Sequence, residues 1–309
     1  AATTPVAPQV LTAMLPYLTT AFGNPSSSHA MGRVAKRAVE EARGEIASFL
    51  NVKPSEVIFT SGGSESNVLA IKGMLLKKKT GHLVLSAVEH PSSLDAAKQL
   101  EKNGYAVTLV SPTSEGEICV DSVANAITDD TVLVSVMVGN NEIGTMNDVE
   151  AMATICRERG VTFHTDAAQA VGHLSLDASQ FEMTTLTGHK LYAPKGVGVL
   201  VVKESVTLHP MIQGGQAERG LRGGTLNVAS IVGLGKAVEL CQTSYAHSIA
   251  TVRDSCEALL QEELPTMTIN GKRDARLPHI SSVQFQNLGP DFSPEMIQGV
   301  ACSAGSACQ

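Results

Sequence analysis

Short apolar runs rich in valine, isoleucine and leucine alternate along the chain with segments of helical periodicity. A strand buried on both faces gives such a run, and a helix between two of them connects parallel strands. The pattern therefore predicts an α/β fold with a mostly parallel sheet that helices cover on both faces. The candidate strands are EVIFTS, HLVLSAV, AVTLVS, TVLVSVM, VTFHTD, MTTLTG and VGVLVV.

One of the intervening segments has an apolar stripe at helical spacing. Val149, Met152, Ile155 and Cys156 form this stripe, and Gly160 is expected to end the helix. In a sheet of this kind ligands bind beyond the carboxyl ends of the strands, so we expect the functional loops there.

The pattern changes near residue 245. A long helical segment carries Val252, Leu259 and Leu260, and the strand-like run HISSVQF follows it. We therefore expect a large domain over residues 1–245 and a smaller α+β domain over residues 246–309. The first residues of the chain are expected to belong with the small domain.

Composition and charge narrow the classes of function. The 309 residues are 43% hydrophobic, and the longest apolar runs are far shorter than the roughly 20 residues of a membrane-spanning helix. The first residues lack a basic region followed by an apolar one, so no signal peptide is predicted. The formal net charge is -7 and the one basic cluster is Lys77–Lys79, which disfavours nucleic-acid binding.

The cysteines indicate the redox compartment. Six of them are scattered along the chain and form neither a disulfide framework nor paired zinc-ligand spacing, so we expect no metal site and a reducing compartment, the cytoplasm. Four lie in apolar or helical patterns and are interpreted as small buried hydrophobes: Cys119, Cys156, Cys241 and Cys256.

Candidate chemistry lies at the ends of two successive strands. Asp166 ends VTFHTD, and Lys190 follows MTTLTG, 24 residues later. Alone, such an Asp is most often a turn former and a Lys is most often solvated, but here both flanks are apolar or glycine-rich. An acid can keep a pyridinium nitrogen protonated and a lysine can carry a cofactor as a Schiff base. The pair therefore predicts pyridoxal phosphate (PLP).

A third feature that suits this cofactor is a turn that could bind phosphate. Gly62, Gly63, Ser64 and Glu65 follow the strand EVIFTS and open a helical pattern, which puts backbone N–H groups at a helix N-terminus. On the local sequence alone, an ordinary Ser-capped helix is the simpler explanation.

The chain resembles the fold-type-I PLP enzymes, and specifically the group I cysteine desulfurases of the NifS/IscS type. The similarity extends over nearly the whole chain, through AATTP, GNPSSSH, SGGSESN, VEHPSS, NNEIG, DAAQA, GHK, ERGLRGGT and GSAC. It implies the aspartate-aminotransferase-like fold of PLP-dependent transferases, a homodimer, and PLP-dependent removal of sulfur from L-cysteine.

The resemblance also implies a role for each matched residue. Lys190 would carry the cofactor, Asp166 would contact its ring nitrogen, and His90 would stack on the ring and move protons. Gln169 and Asn141 would hydrogen-bond the phenolic oxygen, although an Asn-Asn pair after a strand is by itself most simply a turn. The residues implied to hold the phosphate, the last of them donated by the partner subunit, are Gly63, Ser64, Glu65, Thr187, His189 and Thr225.

Two more cysteines lie in the run ACSAGSACQ. Cys308 matches the mobile loop whose cysteine, as a thiolate, attacks the sulfur of the bound substrate in group I desulfurases. The implied products are L-alanine and a persulfide on Cys308, which would pass sulfur to iron–sulfur cluster assembly, tRNA thiolation or DNA sulfur modification. Cys302 could protect or resolve this cysteine, or have no role.

The sequence departs from the family in two places. The family has residues before AATTP, and beyond GSAC a segment with an arginine that binds the substrate carboxylate, so we expect the chain to be incomplete. The candidates for substrate binding that it does contain are Thr3, Asn24, Arg33 and Asn141. Gln216 stands where the family more often has glycine, and a positive φ there would cost about 1 kcal/mol.

Other functions stay open at this point. A selenocysteine lyase or a cysteine/cystine C–S lyase on the same scaffold would differ in its need for Cys308 or in a preference for selenium. From another class, a sulfur-relay scaffold would dock acceptor proteins and catalyse weakly, and the intact pair of Asp166 and Lys190 argues against it.

Overall fold

The computed structural model describes residues 2–241, 245–286 and 293–304. Its strands are β1 (Val57–Thr60), β2 (His82–Ser86), β3 (Ala106–Val110), β4 (Thr131–Ser135), β5 (Thr162–Asp166), β6 (Met183–Thr187) and β7 (Gly198–Val202). They form one sheet in the order β1-β7-β6-β5-β4-β2-β3. Only β7 is antiparallel to its neighbours, so the other six strands share one direction. The predicted strands and the mostly parallel sheet are confirmed.

Helices cover both faces of this sheet. They are α1 (Pro8–Leu18), α2 (Ala30–Phe49), α3 (Gly63–Lys78), α4 (Pro91–Lys102), α5 (Val120–Ala126), α6 (Val149–Glu158) and α7 (Val228–Leu240). Successive side chains of a strand point to opposite faces, so Val57 and Phe59 of β1 pack with α1, α2, α5, α6 and α7, while Ile58 packs with α3 and α4. Two hydrophobic layers therefore hold the sheet in place.

Helix α6 is the helix that its apolar stripe predicts. Asp148 caps it by accepting a hydrogen bond of 3.0 Å from the backbone N–H of Ala151. Met152 and Cys156 are buried, and Gly160 follows the helix with a φ of 68°, a conformation that glycine adopts at little cost.

The chain beyond residue 245 forms helix α8 (Tyr245–Glu263) and a short antiparallel pair, β8 (Thr268–Ile269) with β9 (Val283–Gln284). Strand β9 is shorter than the run HISSVQF suggests. Leu277 and Ile280 return to the main hydrophobic layer. The division into domains at residue 245 stays a prediction.

Two of the four cysteines expected to be buried are exposed. Burial raises the pKa of the Cys156 thiol to about 12, and Cys241 is half-buried, in agreement with the interpretation as small hydrophobes. Cys119 and Cys256 are exposed, so that interpretation is wrong for them. Cys119 lies between Ile118 and Val120 in sequence, and Cys256 lies on α8 between Ser255 and Glu257, but both residues face solvent.

The backbone strain expected at Gln216 occurs two residues later. Gln216 has a φ of -101°, which any residue adopts, so the expected cost there is wrong. Glu218 and Arg219 instead have φ values of 47° and 59°. The buried Glu218 carboxylate holds this turn, because it accepts hydrogen bonds from the backbone N–H of Phe59 at 2.6 Å and from Arg43 at 2.7 and 3.0 Å.

Substituting Glu218→Gln should lower the free energy of unfolding by about 3–5 kcal/mol, because it removes the buried counter-charge of Arg43 and leaves the exposed Glu40 as its remaining ion-pair partner among the described residues. The matched control is Glu204→Gln, which removes the exposed pair with Lys53 and should cost no more than about 1 kcal/mol. Urea unfolding followed by circular dichroism measures both. Equal losses in the two variants would contradict the role given to Glu218.

Candidate active site

The loops that follow the parallel strands all lie at one edge of the sheet. Asp166 is the last residue of β5, and its partner in the ladder is Thr185 of the neighbouring strand β6. Lys190 ends a single helical turn, Gly188–Lys190, that directly follows β6. The carboxyl ends of parallel strands meet at the same edge, so the fold brings the predicted acid and the predicted lysine together.

The carboxylate of Asp166 is 6% exposed and is held on both oxygens. The backbone N–H of Ala168 donates to Oδ1 at 2.8 Å, and Asn67 Nδ2 donates to Oδ2 at 2.7 Å. These charge-assisted hydrogen bonds fix its orientation. Asn67 lies on α3 within the motif SGGSESN, and sequence reasoning did not single it out, because an Asn inside a helix gives no local signal for a site.

A second buried carboxyl group lies beside Asp166. Glu89 is 4% exposed and accepts a hydrogen bond of 2.7 Å from the backbone N–H of Met137. Burial, followed by the charge of Asp166, raises the pKa of Glu89 well above its usual range. Glu89 is therefore the member of the pair that takes up a proton, which leaves the negative charge on Asp166. Glu89 lies within the motif VEHPSS, but its role was not predicted from the sequence.

The loops after β2 and β4 bring the predicted histidine and asparagine to the same edge. His90 caps α4, and its Nδ1 accepts a hydrogen bond of 3.2 Å from the backbone N–H of Ser92. Asn140 builds the turn that an Asn-Asn pair suggests, since its Oδ1 accepts from the backbone N–H groups of Glu142 and Ile143. The half-buried Asn141 follows in that turn.

Gln169 is 8% exposed, and its Oε1 lies 3.1 Å from Nε2 of His279. The imidazole of His279 stacks on that of His173, with 3.8 Å between ring centroids. Burial, with a further contribution from His173, lowers the pKa of His279 to about 3, so its ring is neutral. Sequence reasoning missed His279, because a histidine in a strand-like run 110 residues from Gln169 signals no contact.

The segment between β1 and α3 forms a cradle of small residues. Gly62 has a φ of 155°, a conformation almost confined to glycine. A Cβ on Gly63 would lie 3.6 Å from Cβ of Thr187 and 4.0 Å from Cβ of Ala168, so glycine keeps this space open beside β6. The first N–H groups of α3 have no partners within the helix and lie at its positive end. Ser64 is exposed in this first turn.

Glu65 pairs with Arg222 at 3.0 Å and accepts a hydrogen bond of 2.9 Å from the backbone N–H of Ser61. Burial disfavours its charged form, but the hydrogen bonds from Arg222 and Ser61 outweigh burial and lower the pKa of Glu65. In this arrangement Glu65 fixes the turn that precedes α3.

The first residues of the chain pack against the lysine turn. Thr3 Oγ1 lies 3.1 Å from Nδ1 of His189, and the backbone N–H of Thr4 donates to the carbonyl of His189 at 2.9 Å. Burial and the charge of Lys190 lower the pKa of His189. This packing joins the AATTP segment to the GHK turn.

Three other predicted residues are exposed and engage local backbone or lie in loops. Asn24 Oδ1 accepts from the backbone N–H of Ser26, and Arg33 donates to the carbonyl of Ser28. Thr225 lies in the loop before α7. Cys302 is exposed, and Cys308 lies outside the described residues.

The donor set suits PLP. A buried carboxylate, a lysine, a half-buried imidazole and a glycine cradle at a helix N-terminus match the ring nitrogen, aldehyde, ring face and phosphate of this cofactor. Within the described ranges, three or more His, Cys, Asp or Glu side chains nowhere form a group that could hold a metal ion. Helices long and apolar enough to cross a membrane do not occur in the same part of the chain.

Similar proteins extend these findings. The chain is 40% identical over 320 residues to a cysteine desulfurase IscS of Clostridium botulinum, a match that covers 99% of this chain and 80% of that protein. It is 42% identical over 317 residues to a cysteine desulfurase IscS of Neisseria meningitidis, a match that covers 100% of this chain and 78% of that protein. Two solved structures are similar over 93% and 91% of this chain and 82% of theirs. The first is SspA in complex with cysteine, with 39% identity and a TM-score of 0.86. The second is DndA from Streptomyces lividans, with 36% identity and a TM-score of 0.81.

A family model, aminotransferase class-V, matches residues 1–309. The match therefore includes every loop of the candidate site as well as the sheet that carries them. Together with the relatives that are about 40% identical over nearly its full length, this match establishes that the chain belongs to the class-V aminotransferase family.

Proposed function

We propose that this chain is a PLP-dependent cysteine desulfurase that removes sulfur from L-cysteine, releases L-alanine and keeps the sulfur as a persulfide on Cys308. The observation that carries the proposal is the meeting of Asp166 and Lys190 at the ends of the paired strands β5 and β6. Relatives named cysteine desulfurase support the substrate, and a similar structure is described in complex with cysteine.

Each side chain has a distinct task in this reaction. Lys190 would bind the cofactor aldehyde through its amine, and the Asp166 carboxylate would face the ring nitrogen and favour its protonated form. When bound, PLP supplies an electron sink that stabilises negative charge on the substrate Cα. The Lys190 amine would move the proton at that carbon, and His90 would assist proton movement in the thiol steps. Asn141 and Gln169 would hydrogen-bond the phenolic oxygen, and Gln169 also lies against His279.

The sulfur step needs a second nucleophile. The thiolate of Cys308 attacks the substrate sulfur, so an S–S bond forms and the C–S bond breaks. The electron pair of the broken bond goes to the β-carbon, which takes up a proton and becomes the methyl group of alanine. Cys308 leaves the step as a persulfide, so atoms and electrons balance without a further oxidant.

A homodimer is part of the proposal. Leu11, Leu15 and Leu18 recur at helical spacing on α1 and are 48% to 59% exposed, and Phe22 beyond them is 71% exposed. Such a continuous apolar face suits a second copy of the chain. The exposed Thr225 would then reach the partner's phosphate. Sulfur acceptors such as an iron–sulfur scaffold, and a cytoplasmic location, belong to the proposal as well.

Incubation with PLP followed by borohydride reduction should add the cofactor mass to the peptide that contains Lys190. Lys190→Ala should abolish this adduct and the yellow colour of the protein. The matched control is Lys195→Ala, which removes an exposed lysine from the next turn and should keep both. An adduct that survives Lys190→Ala would refute the proposal.

Asp166→Asn should keep the cofactor adduct but lower kcat for alanine formation by about 100-fold or more, because a neutral amide does not hold the ring nitrogen protonated. The control is Asp148→Asn at the N-cap of α6, where an Asn caps as well as an Asp. Steady-state assays of alanine release measure both, and an unchanged kcat in Asp166→Asn would exclude this role.

Cys308→Ala separates a desulfurase from a lyase. For a desulfurase, the variant should keep cofactor absorbance and lose alanine formation by orders of magnitude, since the nucleophile is gone. Cys302→Ala is the neighbouring control and should retain turnover. If Cys308→Ala still releases alanine at the parent rate, Cys308 is not the sulfur acceptor and a selenocysteine lyase is favoured. Release of pyruvate and ammonia in place of alanine would indicate a C–S lyase.

A further inference from the structure

A continuous chain of hydrogen bonds runs from the carboxylate of Asp166 to the imidazole of His90. Asn67 Nδ2 lies 2.7 Å from Asp166 Oδ2 and 3.1 Å from Oγ of Ser92. Ser92 Oγ in turn lies 2.8 Å from Nδ1 of His90. Neither the cofactor contacts nor the sulfur step described above uses Ser92.

The direction of each hydrogen bond follows from the chemistry of the groups. An amide nitrogen is only a donor, so the two hydrogens of Asn67 Nδ2 go to Asp166 and to Ser92 Oγ. The opposite amide orientation would bring the Asn67 carbonyl against the carboxylate. A hydroxyl oxygen can accept a second hydrogen bond, so the backbone N–H of Ser92 decides the direction. This group can only donate to Nδ1, at 3.2 Å, and the Ser92 hydroxyl hydrogen is then directed to Nδ1 of His90 as well.

His90 Nδ1 consequently faces two donors. The hydroxyl of Ser92 is one, and the backbone N–H of Ser92 is the other, at 3.2 Å. A proton on Nδ1 would point at that backbone N–H, which cannot turn away. The lone pair of Nδ1 is thereby occupied, and the ring hydrogen of His90 belongs on Nε2.

We propose that Ser92 is a positioning residue that fixes His90 as the neutral Nε2–H tautomer, and that Asn67 ties this tautomer to the carboxylate of Asp166. This inference rests on the proposed function, in which His90 lies over the cofactor ring. One network then contacts the carboxylate that would face the ring nitrogen and sets the tautomer of the stacked imidazole. In this tautomer Nε2–H is a hydrogen-bond donor to the substrate, and Nδ1 carries no proton.

The chain contains a matched control for Ser92. Ser93 is the next residue of α4 and is buried, and its Oγ is among the buried polar atoms of the described residues that have no hydrogen-bond partner. Ser93→Ala removes the same atom from the same helix turn without touching the network. Ser92→Thr keeps the hydroxyl, and Ser92→Ala removes it.

Nitrogen NMR of cofactor-free protein with 15N-labelled histidine tests the tautomer directly, and His90→Gln identifies the signals of His90 among the 9 histidines. We expect the proton on Nε2 and an Nδ1 resonance typical of a hydrogen-bonded acceptor. Ser92→Ala should shift Nδ1 toward an unbonded imine nitrogen, whereas Ser92→Thr and Ser93→Ala should not. A proton on Nδ1, or an Nδ1 signal that responds equally to Ser92→Ala and Ser93→Ala, would overturn the proposal.

The loaded enzyme gives a second readout. Ser92→Ala should lower kcat for alanine formation about 10-fold with KM unchanged, and Ser92→Thr should restore it, because only the hydrogen bond donated by His90 Nε2–H is affected. A kcat in Ser92→Ala equal to that in Ser93→Ala would count against the positioning role. If the NMR result holds but no variant or parent releases alanine, the proposed function fails while the tautomer assignment stands.

Discussion

The register between β5 and β6 sets Asp166 opposite Thr185, and the chain then needs only the turn at Gly188–Lys190 to bring an amine to the same edge. Both strands are buried and have neighbours on each side, so this register is held by the two hydrophobic layers rather than by the site itself. The distance between Asp166 and Lys190 is therefore set by the sheet. Loops supply the other contacts around this fixed pair.

Burial at this edge of the sheet disfavours a charge on both Glu89 and Asp166. Glu89 and Asp166 are both nearly inaccessible to water, and only one of two adjacent buried carboxyl groups ionises at low cost. Asp166 has two N–H donors, whereas Glu89 Oε2 has no partner among the described residues, so the charge stays on Asp166. The nearby ring of His279 is neutral for the same reason of burial. In the proposed function, the Asp166 carboxylate would then face the ring nitrogen of the cofactor.

The features predicted correctly from the sequence are those that depend on local pattern. The strands follow from short apolar runs, α6 follows from Val149, Met152 and Cys156, and the pair of Asp166 and Lys190 follows from strand ends. Sequence reasoning missed Asn67 and His279, because their roles come from contacts across 99 and 110 residues of chain. The expectation that Cys119 and Cys256 are buried is wrong for a related reason, since exposure depends on how a segment packs in three dimensions.

Polar side chains inside β4, β5 and β6 link these strands to one another and make the site rigid. His164 joins Ser135 on one side at 2.8 Å and Thr185 on the other at 3.0 Å, and burial lowers its pKa to about 3, so it bridges the three strands as a neutral ring. Thr165 donates to the carbonyl of Val136 at 2.8 Å. Buried polar groups are costly unless they are paired, and these pairs link the strands directly below Asp166. The polar residues within VTFHTD and MTTLTG interrupt the apolar pattern of these strands. Their hydrogen bonds fix the strand ends that carry Asp166 and precede Lys190.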